Sequence, residues 1–270
     1  MKYKRLIITL SCVLGAVLLC TILCFTLFRL HGVSLNFKNQ TTLFNTQQSQ
    51  NQIISSAEIN YGVPIFALNK SNIKQNLESK NPYLKVINIE TAFPNKLIIH
   101  CAQREETFVI KSREDRFYVC DEELKVLKVY DSYTTSQENA VVVSGISVLN
   151  NAATIGDFLV LYEGQEVINN ISNAFASCNK TIADFKAMFK SVELIYENNF
   201  YAGKITPTLK FVTYDNFLIE VQNANGYLAT KVNLMLSIVP YKAEYYSTHK
   251  LVIDIDPNNI QTIKTILEVI

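Results

Sequence analysis

The sequence predicts an α+β protein with a single N-terminal transmembrane helix. A β-α-α-β-β unit follows, and then a mainly antiparallel β domain with packed helices. Three observations predict this. An apolar run, Leu6–Phe28, stands between a basic N-terminus (Lys2, Lys4, Arg5) and Arg29. Residues 32–105 carry one strand pattern, two capped helical patterns and a hairpin. Residues 106–270 carry many short alternating runs separated by turn signals.

The apolar run comes first. About 23 residues rising about 1.5 Å each make roughly 34 Å of helix, enough to cross a hydrocarbon core. Lys2, Lys4 and Arg5 precede it, whereas Arg29 and Lys38 follow more sparsely. The positive-inside bias therefore puts residues 1–5 in the cytoplasm and the bulk of the chain outside, a single-pass type II arrangement in the cell membrane. The competing reading is a cleaved signal peptide. It calls for a shorter apolar region and a small-x-small cleavage site, and Cys24, Phe25, Leu27 and Phe28 offer a poor one.

In the first unit, residues 33–37 alternate as a strand. A helix over 45–59 starts from an Asn45 or Thr46 cap and shows Ile53, Ile54, Ala57 and Ile59. Tyr61-Gly62-Val63-Pro64 breaks it. A second helix starts from an Asn69 or Ser71 cap, places Ile73 and Leu77 one turn apart, and stops at Asn81-Pro82. Strands over 85–91 and 97–103 enclose the turn Phe93-Pro94-Asn95-Lys96.

In the second unit, strands are expected at 107–111, 117–121, 126–130 and 140–143. A helical pattern runs from 166 to about 190 through Ile168, Ile171, Phe175, Ile182, Phe185, Met188 and Phe189, with a break near 177–180. Strands follow at 192–196, 209–214, 217–222 and 251–256, with hairpin turns at Asp215-Asn216 and Asn225-Gly226. A short helix over 230–239 shows Val232, Leu236 and Val239.

Composition narrows the function classes. The formal net charge is +1, with no basic stripe interleaved with aromatics, so a nucleic-acid surface is not expected. Six cysteines show no C-x-x-C pair and no metal-ligand spacing; a Cys101–Cys120 bridge between neighbouring strands stays open. His31, His100 and His249 read as isolated. Asp254-Ile255-Asp256 invites a metal-binding D-x-D reading, but it falls late in the chain and behind hairpins. No catalytic residue, cofactor, metal or small-molecule substrate is expected. Arg104 is a candidate for tying the two units together through a carboxylate.

The residues also resemble a known family. The carriers are Tyr61-Gly62-Val63-Pro64-Ile65-Phe66-Ala67-Leu68-Asn69 with Ile73, Leu77 and Pro82–Val86; Phe93–His100; Gln103-Arg104; Phe117–Asp121; and Gly226-Tyr227-Leu228, Lys231, Leu234 and Leu251–Ile255. In this order they resemble the bacterial division family FtsQ/DivIB. The resemblance implies a POTRA-like domain over 32–105 and the family's β domain over 106–270, after a cytoplasmic tail (1–5) and the membrane helix (6–28). It implies a non-catalytic scaffold at the division septum. Its partners would be FtsB/DivIC-like and FtsL-like division proteins and the septal peptidoglycan synthesis machinery. The chain departs from the family pattern at Glu106, where Pro is usual, at Leu124, where Gly is expected, and at Asp256-Pro257, where Arg and an aromatic often follow.

Partner binding is expected at a sheet edge around residues 250–256, with Tyr241, Tyr245, Tyr246, Leu251, Ile253 and Ile255 as contacts, because an unpaired strand offers backbone groups to an incoming one. The alternatives are a membrane-anchored extracytoplasmic enzyme acting on envelope glycans, or a POTRA-bearing assembly or secretion factor.

Overall fold

The computed structural model describes residues 2–38, 42–112, 116–132, 139–199, 204–241, 249–255 and 263–269; the side chains of 2–10, 23, 24, 197–199, 204, 241, 255 and 263–269 lie outside that description. The chain forms two compact units, Met1–Arg104 and Glu105–Ile270.

Unit 1 begins with α1 (Lys2–Leu27), a helix of 26 residues. Among the described residues no helix is long and apolar enough to cross a membrane. The expectation of a spanning helix thus rests on the sequence of α1. The rest of the unit is β1 (Gly32–Phe37), α2 (Gln47–Ser56), a 3₁₀ turn (Ile65–Ala67), α3 (Lys70–Lys80), β2 (Leu84–Ala92) and β3 (Lys96–Gln103). Both helices start where a side chain can satisfy a free N–H. Thr46 accepts from Ser49 N, and Asn69 from Asn72 N. The sheet order is β1-β3-β2, with β1 parallel and β2 antiparallel to β3. Ile53, Ile73, Leu77, Leu84, Val86, Leu97 and Ile99 form its core.

Arg104 closes this unit. It is buried, its backbone N donates to Tyr83 O at 2.7 Å, and its guanidinium lies 3.7 Å from Glu78 Oε1. That carboxylate belongs to α3 of the same unit.

Unit 2 contains β4 (Phe108–Lys111), β5 (Phe117–Cys120), β6 (Val126–Tyr130), β7 (Val141–Ser144), α4 (Gln165–Ser177), α5 (Ile182–Met188), β8 (Phe189–Asn199), β9 (Lys204–Thr213), β10 (Leu218–Val221), α6 (Leu228–Ile238), β11 (His249–Ile255) and β12 (Ile263–Val269). The strands form one sheet in the order β12-β11-β10-β9-β8-β7-β4-β5-β6. Pairing is antiparallel except at β4–β7, β7–β8 and β10–β11. One face of the sheet carries the core. Phe108, Phe189, Phe211, Ile219, Leu251 and Ile253 of the strands meet Ile171 and Phe175 of α4, Phe185 of α5, and Val232 and Met235 of α6. Its centre is aromatic: Phe175, Phe185 and Phe189 pack with ring centroids 5.0–6.0 Å apart, and Phe211 lies 5.1 Å from Phe189.

Three departures from expectation have local causes. The helical pattern to residue 190 ends at Met188, because Phe189 adopts extended backbone and starts β8. Asn225-Gly226 leads from β10 into α6 and makes no hairpin. Cys101 and Cys120 are free and buried, in β3 of one sheet and β5 of the other, so the bridge is not formed. Burial pushes the Cys101 thiol up to about 12 and the Cys120 thiol well above its usual value, which leaves both as inert thiols at neutral pH.

Candidate partner-binding surface

The C-terminal side of the nine-stranded sheet is built by a β10-α6-β11 crossover and a closing strand. At the end of β10, Gln222 N donates to Ile253 O (3.0 Å) and Ala224 N to Pro207 O (2.7 Å). The turn is thereby tied to both flanking strands. Asn223 and Tyr227 take left-handed backbone (φ 50° and 54°) to reach α6.

Lys231 of α6 closes this corner. Its side chain is 1% exposed, and Nζ donates to Gln222 O at 2.7 Å and Asn223 O at 2.8 Å. Asp254 Oδ1 of β11 lies 3.9 Å away. One cation thus joins helix, turn and strand. Burial lowers its pKa from 10.5 to about 8, opposed by the Asp254 charge. The unfolded chain then holds more protons than the folded one between pH 8 and 10.5, so this group makes stability rise with pH across that window. The full rise is about 3 kcal/mol. Lys231→Met is expected to remove it. Urea midpoints of the two chains followed from pH 7 to 11 check this; parallel curves would refute the assignment.

On the opposite face, Glu220 of β10 sits between Lys210 of β9 (3.4 Å) and Lys250 of β11 (3.0 Å). The three charges cross three strands as a ladder, with Ile219 and Val221 pointing into the core on the other side.

The expected contact residues fall into three groups. Leu251 and Ile253 are buried in the core, 1% and 0% exposed, so a partner has no access to them. Tyr241 ends a 3₁₀ turn, Val239–Tyr241, and Ile255 ends β11, with both side chains outside the description. Tyr245 and Tyr246 lie outside the described residues. The edge itself is also corrected. β11 is an internal strand, parallel to β10 on one side and antiparallel to β12 on the other. Among the described residues, β12 is the terminal strand of the sheet. Its alternation (Ile263-Lys264-Thr265-Ile266-Leu267-Glu268-Val269) is broken at Ile266-Leu267, and it follows Asp256-Pro257, so its sequence carries a weak strand signal.

Among the described residues no group of three or more His, Cys, Asp or Glu side chains is placed to hold a metal ion. Asp254 faces Lys231, and Asp256 lies outside the described residues. His100, read as isolated, has neighbours: Nε2 is 3.3 Å from Glu90 Oε2, and Nδ1 is 3.5 Å from Asn36 Nδ2.

The departures at Glu106 and Leu124 acquire structural reasons. Glu106 pairs with Lys128 at 3.0 Å, and its carbonyl accepts from Lys186 Nζ at 3.0 Å. Leu124 adopts φ 63°, the left-handed backbone that favours Gly, while its side chain is wholly buried. Asp121 supports that turn by accepting from Glu123 N (3.0 Å) and Lys125 N (2.8 Å).

Comparison with known proteins bears on the first unit. Residues 44–102 match the POTRA domain of the FtsQ type. The cell division protein DivIB of Clostridium tetani is 34% identical over 88 residues, a stretch covering 33% of this chain and 32% of that protein. The match reaches about a third of the relative's length. The matched residues hold α2, α3, β2 and nearly all of β3, the elements that carry the Tyr61–Asn69 and Phe93–His100 motifs. Residues 44–102 therefore carry an FtsQ-type POTRA domain, and over that stretch the resemblance to the FtsQ/DivIB family is borne out.

Proposed function

We propose that this protein is a non-catalytic membrane scaffold of bacterial cell division. Its extracytoplasmic part binds other single-pass division proteins, of the FtsB/DivIC and FtsL kinds, and helps coordinate septal peptidoglycan synthesis. The observation that carries the reading is an FtsQ-type POTRA domain set directly behind one apolar helix. The side chains of α1 support the anchor. Val13, Leu14, Val17, Leu18, Leu19 and Ile22 are all more than half exposed, and a helix apolar all round is stable when lipid covers it. The chain then divides into a cytoplasmic tail (1–5), a membrane helix (6–28), the POTRA unit (32–105) and the β unit (106–270), in a type II orientation. The partner surface is the C-terminal edge of the β unit, centred on β12 with the approach through Tyr241, Tyr245 and Tyr246.

A fluorescent fusion of the full chain in dividing cells tests the reading. Signal concentrated at midcell, dependent on residues 106–270, is the expected result. A uniform membrane signal through the division cycle would overturn it.

A further inference from the structure

Two loops of the POTRA unit are held against the chain as it leaves α1. Residues 28–30 are hydrogen-bonded to the loop carrying Phe66: Ile65 N donates to Phe28 O (2.8 Å), Leu30 N to Val63 O (2.9 Å) and Gly62 N to Leu30 O (3.0 Å). Residues 31 and 32 are hydrogen-bonded to the tip of the β2–β3 hairpin, both N–H groups donating to Asn95 O, at 2.9 and 3.4 Å. Each loop presents an exposed phenylalanine ring. Phe66 is 63% exposed and Phe93 is 73% exposed. These rings meet the end of α1 and the residue that follows it: Phe25 and Phe66 lie 6.4 Å apart, and Phe28 and Phe93 lie 5.8 Å apart, both edge-on. Tyr61 of the first loop and Leu27 at the end of α1 are also more than half exposed.

A cluster of large exposed rings signals a surface that water does not normally cover. Here its position identifies the cover. A hydrocarbon core of about 30 Å is flanked by headgroup layers of roughly 5–7 Å each. Rings in contact with the last residues of a spanning helix fall at that boundary, where aromatic side chains are favoured. Two cations lie on the same segments. Arg29 donates its Nε to Phe25 O at 2.9 Å, and the stem of Lys96 lies beside Gly32, where an added methyl would meet its Cγ at 3.6 Å. Both charges suit lipid phosphates, with the stems lying along apolar surface.

We propose that the loops 61–67 and 93–96 form a lipid-docking collar, with Phe66 and Phe93 inserted into the outer-leaflet interface and Arg29 and Lys96 on headgroup phosphate. The collar fixes the POTRA unit against the bilayer rather than letting it swing on a free linker. It rests on the anchor reading of α1 and goes beyond it, because a spanning helix alone does not require the folded unit to touch lipid.

The absence of tryptophan from the chain makes the test direct. Phe66→Trp, Phe93→Trp, Val17→Trp and Tyr162→Trp each introduce a single reporter into the full chain, reconstituted in phosphatidylcholine–phosphatidylglycerol vesicles. Bromine placed on the lipid acyl chains near the headgroup, or deep in them, quenches reporters at matching depth. Phe66→Trp and Phe93→Trp are expected to lose about half of their emission to the shallow bromine and less to the deep one. Val17→Trp should respond mainly to the deep bromine, and Tyr162→Trp to neither. Quenching at Val17 with water-like, unquenched emission at both loop positions would overturn the collar and leave the anchor standing. No quenching at any position would remove both readings.

Discussion

Gly145→Ala is expected to destabilise the β unit by about 3 kcal/mol or more, adding the cost of left-handed backbone for a non-glycine to that of overpacking. Gly145 follows β7 with φ 76°. A methyl group there would stand 2.0 Å from the carbonyl oxygen of Leu194 in β8. That atom is ladder backbone, so the only relief is to move β7 and β8 apart at the centre of the sheet. Two other glycines separate the causes. Gly164, which precedes α4 with φ 78°, would place its methyl 2.1 Å from Leu194 Cδ2, the free end of a side chain that can turn. Gly62 has φ 80° and nothing within 4 Å, so alanine there costs only backbone strain, about 1–2 kcal/mol. The expected order of damage is Gly145, Gly164, Gly62. Thermal melts of the three variants, with hydrogen exchange in β7 and β8, check it. Equal losses at all three would mean that strain alone sets the effect.

Local chemistry made unit 1 legible. Thr46 and Asn69 cap its helices because each offers an oxygen to an N–H three residues on, and Pro82 stops the second helix just past its Asn81 cap, whereas the first ends at Ser56, short of Pro64, where Glu58 turns left-handed (φ 53°). The hairpin at Phe93–Lys96 is equally local. What escaped the sequence lies in unit 2 and depends on distant residues. Phe185 and Phe189 are four apart and share one core, which fits a helix. The first ends up on α5 and the second on β8, and both reach the same cluster. The parallel pairs β4–β7 and β10–β11 join strands separated by crossovers, so no adjacent pattern announces them. The candidate surface was displaced by one strand for the same reason. The apolar alternation of β11 marks a buried strand as well as an edge, and only the register with β12 decides between them.

That register also fixes which groups of β12 are free to bind. Ile253 O accepts from Gln222 N, on the β10 side of β11. The N–H and C=O of one strand residue point to the same side, so those of Ile253 face away from β12. Its partner in the antiparallel register is Thr265, and the pair is therefore of the kind that exchanges no backbone hydrogen bonds. By alternation, the backbone groups of Ile263, Thr265, Leu267 and Val269 point outward, while those of Lys264, Ile266 and Glu268 bond to β11. Proline distinguishes the two phases because it lacks the N–H and is tolerated on an edge. Thr265→Pro is expected to weaken capture of an FtsB/DivIC-like partner by about tenfold or more, the loss corresponding to about 1.4 kcal/mol at the docked edge, and to leave the melting temperature nearly unchanged. Ile266→Pro breaks a ladder bond to β11 and is expected to lower stability by about 1–3 kcal/mol. Its loss of capture would follow from that unfolding of the edge. Pull-down titrations paired with thermal melts separate the two. Undiminished capture by Thr265→Pro, with β12 still protected from hydrogen exchange, would move the partner off this edge.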